Sequence, residues 1–141
     1  MLMKHKIAGG DFANAGNVAS AVKKVLRQLN IDHHISKRVV ISLYEAEVNV
    51  VAHAYSGVAS ISIDEEKIEV TVSDSGLGIA DIDKAMQEGF STASPHVREM
   101  GFGAGMGLSN MKKNSDLMEI SSVPEKGTMV RLVNYLNRNA A

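Results

Sequence analysis

The stretch SLYEAEVNVVAHAY, residues 42–55, is apolar on both sides of a polar row, which an ordinary surface helix is not. With successive side chains about 100° apart around a helix, Leu43, Ala46, Val50 and Ala54 fall on one face, with Val39, Val40 and Val51 beside it. Arg38, Ser42, Glu45, Asn49 and His53 form a separate band roughly 80° wide, and Ile41, Val48 and Ala52 lie beyond it. Such a band either faces water, as charged residues usually do, or lines a groove between two apolar surfaces. In a groove, a carboxylate, an amide and an imidazole in one row can supply a general base, a metal-oxygen ligand and a phosphate contact. Glu47 projects toward the apolar face, where burial is costly without a partner.

Ser36 is a good N-cap for this helix, and Ser56-Gly57 stops it after Tyr55. Upstream, Phe12, Ala15, Ala19, Val22, Leu26 and Leu29 recur at three- and four-residue steps, an amphipathic helix over residues 11–30 preceded by a short edge strand at 3–7. Downstream the period changes to two. ASISID (59–64) and KIEVTVSD (67–74) alternate around the turn Asp64-Glu65-Glu66-Lys67 and read as a hairpin. A short helix near 81–88, a flexible stretch near 89–105 and a helix near 106–115 follow. LMEISSVPEKGTMVRLVNYL (117–136) is a second hairpin turning at 124–127. Helices sharing the single buried face of such a sheet predict an α+β fold, a two-layer α/β sandwich whose mostly antiparallel mixed sheet is covered on one face.

Composition narrows the function. A chain of 141 residues with 45% hydrophobic and 22% charged residues, without repeats or Pro/Ser-rich linkers, suits one domain over residues 1–141. Fifteen basic residues offset sixteen acidic ones for a net charge of −1, so no electrostatic case exists for nucleic acid or an anionic membrane as partner. The chain has no cysteine, which rules out disulfides and thiolate metal sites and fits a reducing compartment. No signal-length apolar stretch follows MLMKHK, and no run of ~20 apolar residues occurs, so the expected location is the cytoplasm.

Two glycine motifs remain. GFGAGMGLSN (101–110) places glycine at every second position from Gly101 to Gly107. It is no dinucleotide fingerprint, because the sixth position counted from Gly101 is Met106 and from Gly103 is Leu108, and no Gly-Lys-Ser/Thr of a Walker loop occurs. DSGLG (74–78) puts a carboxylate at a strand end with two glycines after it. That is ordinary turn chemistry, or an acceptor for the amino group of a base whose flat ring the bare backbone admits.

In order, Glu45-x-x-x-Asn49, Asp74-x-Gly76-x-Gly78 and Gly101-x-Gly103-x-Gly105-x-Gly107 resemble the N, G1 and G2 boxes of the Bergerat-fold (GHKL) ATP-binding superfamily. Together with the ending EKGTMVRL, SLYEAEVNVVAHAY and DSGLGIADIDKAMQEGFST are similar to the small bacterial serine kinases of partner-switching pathways, anti-sigma factors and stress-module switch kinases, over residues 11–135. The resemblance implies ATP and Mg²⁺ as cofactors. Asp74 would accept from the adenine amino group, Gly76 and Gly78 would line the base, and Thr128 would help hold adenine through water, although a plain strand start is its other reading. Asn49 would ligate Mg²⁺, and His53 falls where a polar residue approaches the phosphates. Gly101, Gly103, Gly105 and Gly107 would form a lid delivering the triphosphate to the helix N-terminus at Gly107 and Leu108.

Glu45 separates subfamilies in this resemblance, because histidine kinases of the fold usually carry an amide there and serine kinases and ATPases a glutamate that activates the attacking oxygen. The implied activity is an ATP-dependent protein serine/threonine kinase acting as a regulatory switch. Its implied substrate is a small antagonist of the anti-anti-sigma type, with a sigma factor or downstream regulator as a further partner, and such relatives commonly form homodimers. A nucleotide-gated binding module without kinase activity and a free-standing ATPase would use the same pocket.

Overall fold

The alternating apolar residues of the strand segments are the ones that the sheet buries. In the computed structural model, which describes residues 1–76, 78, 86 and 107–136, five strands form one sheet: β1 (Leu2–Ala8), β2 (Ala54–Ile63), β3 (Lys67–Gly76), β4 (Leu117–Val123) and β5 (Gly127–Tyr135). Their order is β1-β2-β3-β5-β4, and all four ladders are antiparallel. The register aligns Met3, Ile61, Val70, Leu132 and Met118 in one row, and His5, Ala59, Val72, Val130 and Ile120 in the next. Except for His5, the residues of both rows join the core cluster with residues of the helices α1 (Asn17–Gln28), α2 (His33–His53) and α3 (Gly107–Lys113), among them Val22, Leu26, Val39, Leu43, Val50, Leu108 and Met111. The opposite face carries Lys4, Ser60, Thr71, Arg131 and Glu119 in register, where Arg131 pairs with Glu69 at 2.7 Å and with Glu119. The expected two-layer sandwich is therefore present. No described helix is long and apolar enough to cross a membrane.

Because β5 inserts between β3 and β4, the turn that opens β5 lies beside the end of β3, where Asp74 sits. The local boundaries differ from the sequence reading in three places. α2 begins at His33, capped by Asp32, whose carboxylate accepts from the Ile35 amide at 3.2 Å; Ser36 lies inside the helix with its hydroxyl on the Ile31 carbonyl. Both residues are good caps, and the carboxylate three positions before Ile35 is the one that reaches a first-turn amide. At the other end α2 stops at His53, and Ser56-Gly57 belongs to β2: Gly57 is buried opposite Asp74, with its α-carbon against the Val50 side chain. The expected helix over 11–30 breaks at Gly16, in the left-handed region at φ 97°, into a single 3-10 turn at Phe12–Asn14 and α1. The expected short helix near 81–88 and the stretch near 89–105 lie outside the described residues, apart from Met86, which packs on the core.

Glu47 is 2% exposed, and its burial is compensated. Its carboxylate accepts from the amides of Gly16 (3.0 Å), Val18 (3.1 Å) and Ala19 (3.0 Å), the unpaired donors at the start of α1. The positive end of the α1 dipole adds to this. One buried side chain of α2 thereby fixes where α1 begins.

Candidate nucleotide site

The polar band of α2 meets α3 and the segment after it residue by residue. Arg38 pairs with Asp116 at 2.9 Å. The Ser42 hydroxyl lies 3.1 Å from the Asn114 carbonyl, which also accepts from Asn134 Nδ2 at 3.0 Å. Glu45 Oε1 accepts from Asn110 Nδ2 at 3.4 Å. Gly107 presents bare backbone to the next pair: a Cβ placed there would sit 3.2 Å from Asn49 Oδ1 and 3.4 Å from Glu45 Oε2. The lower half of the band is thus a structural seam, and its upper half brings Glu45 and Asn49 against the first turn of α3.

The second wall is built by the ends of β3 and β5. Asp74 Oδ1 accepts from the Thr128 amide at 3.0 Å, which fixes the carboxylate's orientation. The Thr128 hydroxyl is 3.0 Å from Ser122 Oγ, and Ser122 Oγ donates to the Gly127 carbonyl at 3.2 Å. The Gly76 amide donates to the Lys126 carbonyl at 3.2 Å. Two glycines make this close approach possible: Gly127, at φ 153°, where a Cβ would fall 2.1 Å from the Asp74 carbonyl oxygen, and Gly78, at φ 72°, where one would fall 2.5 Å from the Val123 carbonyl oxygen. DSGLG and EKGT are therefore two halves of one construction.

His53, at the end of α2, and Asp74 feel each other's charge. Burial pushes the Asp74 carboxyl above its ordinary value, while the Thr128 amide and His53 oppose the shift. Burial pushes the His53 imidazole below its ordinary value, and Asp74 opposes this.

The arrangement separates three tasks. Asp74, half-buried at a strand end beside glycine backbone, suits a donor on the edge of a flat ring. The Asn49 carboxamide oxygen is a hard ligand of the kind Mg²⁺ takes. Among the described residues no three His, Asp or Glu side chains converge as a metal cage, and Mg²⁺ is commonly held by few protein oxygens together with substrate phosphates. Glu45, one turn from Asn49 and beside the same glycine, offers a carboxylate that can take a proton from a nearby hydroxyl.

Of the candidate residues, Glu45, Asn49 and Gly107 come together on one side, and Asp74, Gly76, Gly78 and Thr128 on the other, where the His53 carbonyl at the end of α2 lies beside Gly76. Leu108 puts its side chain into the core, 8% exposed, so only its backbone can face a ligand. Gly101, Gly103 and Gly105 lie outside the described residues. Asn110, Ser122 and Gly127 join the site without having been singled out: Gly127 sits in the quoted EKGT turn, while a lone Asn on a helix and a lone Ser in a strand carry no motif.

A family model described as a histidine kinase-like ATPase domain matches residues 10–134. The chain is 41% identical over 100 residues to an anti-sigma F factor of Caldanaerobacter subterraneus, covering 67% of this chain and 66% of that one. It is 32% identical over 103 residues to the anti-sigma F factor of Bacillus subtilis, covering 69% and 67%. The chain spans about two thirds of the length of these curated relatives. Among solved structures, the RsbU and RsbW domains of a Mycobacterium tuberculosis protein superpose with a TM-score of 0.62 at 17% identity, over 95% of this chain and 32% of that one. The mycobacterial sensor histidine kinase MprB does so with 0.54 at 14% identity, over 94% and 97%.

Proposed function

The chain belongs to the histidine kinase-like ATPase family, and from that premise we propose that it is an ATP-dependent protein serine/threonine kinase acting as a regulatory switch. The observation that carries this reading is the placement of Glu45 and Asn49 one turn apart on α2, both against Gly107. A glutamate there gives the site a base of its own for a hydroxyl acceptor. Glu45 would take the proton from that hydroxyl as its oxygen attacks the γ-phosphorus and the bond to the ADP oxygen breaks. Mg²⁺ on Asn49 would offset the phosphate charge. Asp74, oriented by Thr128, would select adenine, and His53 would lie toward the phosphates.

The relatives named anti-sigma F factors support a regulatory role. The substrate class is accordingly a small antagonist protein of the anti-anti-sigma type, with a sigma factor or downstream regulator as the sequestered partner. The proposal includes a cytoplasmic location, one domain over residues 1–141 and a homodimer. The fate of label from γ-labelled ATP, with an anti-anti-sigma protein and Mg²⁺ present, tests the activity. Label on that protein is the expected result. Free phosphate alone would make the chain an ATPase, and neither product would leave a nucleotide-gated binding module.

A further inference from the structure

Asn110 is not explained by the fold. It lies inside a seven-residue helix, where asparagine is a poor former and alanine or leucine would serve better. Its side-chain amide points across to α2 and donates to Glu45 Oε1 at 3.4 Å. The other carboxylate oxygen, Oε2, is bounded by the backbone of Gly107, one turn earlier on the same helix. The helix that carries that amide is anchored against α2: Met111 beside it is fully buried, and the end of α3 is tied down through Ser42 and Asn134 on the Asn114 carbonyl. Asn114 in turn donates to the Asn110 carbonyl through both its backbone and its side chain.

We propose that Asn110 is a positioning residue for Glu45, its amide holding the carboxylate against α3 in the orientation from which it takes a proton. The inference rests on the reading of Glu45 as the base. A glutamate has three rotatable bonds, and only a small part of its rotamer space leaves an oxygen aimed at a bound hydroxyl. A neutral donor narrows that space without placing a positive charge beside the base, as a lysine would. The two lysines of α3, Lys112 and Lys113, are exposed.

The test is label transfer from γ-labelled ATP to the anti-anti-sigma protein, with kcat and KM separated, alongside ADP affinity by calorimetry and thermal unfolding of each full-length variant. Asn110→Leu should lower kcat roughly tenfold while KM for ATP and ADP affinity stay within about twofold. Asn110→Gln, which keeps the amide, should recover much of that loss. Asn110→Asp, the same size with the donor replaced by an acceptor, should fall at least as far as Asn110→Leu, so the inference does not depend on one variant folding. In a Glu45→Gln background, Asn110→Leu should cause no further loss, because Asn110 acts through Glu45. Wild-type kcat in Asn110→Leu and Asn110→Asp, or an equal loss in the Glu45→Gln background, would overturn the inference. Wild-type transfer by Glu45→Gln alone would instead overturn the reading of Glu45 as the base.

Discussion

Burial of Asp74 disfavours its charged form in the folded protein. Burial raises its carboxyl above the ordinary value, so by linkage its contribution favours folding below the ordinary carboxylate pKa and is lost as pH rises through the raised native value. Asp74→Asn removes this cost and keeps an oxygen for the Thr128 amide. The nucleotide-free variant should therefore melt above wild type at neutral pH, with the advantage shrinking toward pH ~4, while ATP no longer raises its melting temperature and ATP loses its preference over GTP. Melting curves from pH 4 to 8, with and without nucleotide, check this. A variant less stable than wild type at pH 7 that still prefers ATP would contradict it. His53 has the opposite sense. Its pKa is lowered by burial, so its contribution is present above the ordinary histidine value of ~6.5 and is lost as pH falls toward the lowered native value. His53→Gln should flatten that part of the stability profile, and an unchanged slope between pH 5 and 7 would remove the assignment.

At the scale of elements, α2 organises the molecule, because its faces meet different partners. Its core face packs on the sheet, Glu47 caps α1, and its polar band receives α3 and carries the candidate residues Glu45 and Asn49. Glu47→Ala would leave three amides at the start of α1 without their acceptor, two of those bonds buried, and should cost ~3 kcal/mol or more in urea unfolding. Glu47→Gln, retaining one acceptor oxygen, should cost less. Equal stability of wild type and Glu47→Ala would mean that α1 is held by packing alone. The band from Arg38 to His53 was legible because helical spacing alone groups its members. The partners of Glu47 were not, since they are backbone amides about thirty residues away that leave no side-chain signature. The start of α2 was ambiguous for a different reason: Asp32 and Ser36 are both N-cap formers, and only the carboxylate's reach to Ile35 distinguishes them. Gly57 read as a helix stop because glycine marks both helix ends and close approaches within strands, and here the Val50 side chain demands the second.

For the whole molecule, alternation and periodicity specified both layers, but strand order is a tertiary property. The insertion of β5 between β3 and β4 is what brings Thr128 to Asp74, 54 positions earlier in the chain, and no local pattern announces it. Under the proposed function the two walls would divide the work between sheet and helices: adenine at the strand ends, metal and proton transfer on α2 against α3. That division predicts different failures. Asn49→Ala should weaken Mg²⁺-dependent nucleotide binding itself, whereas Glu45→Ala should leave it intact. The measurement that bears most directly on the whole account is nucleotide titration of Glu45→Ala followed by timed transfer of γ-label to an anti-anti-sigma protein. The account predicts wild-type ATP affinity with transfer slower by roughly 10²–10⁴-fold. Transfer at the wild-type rate would contradict it.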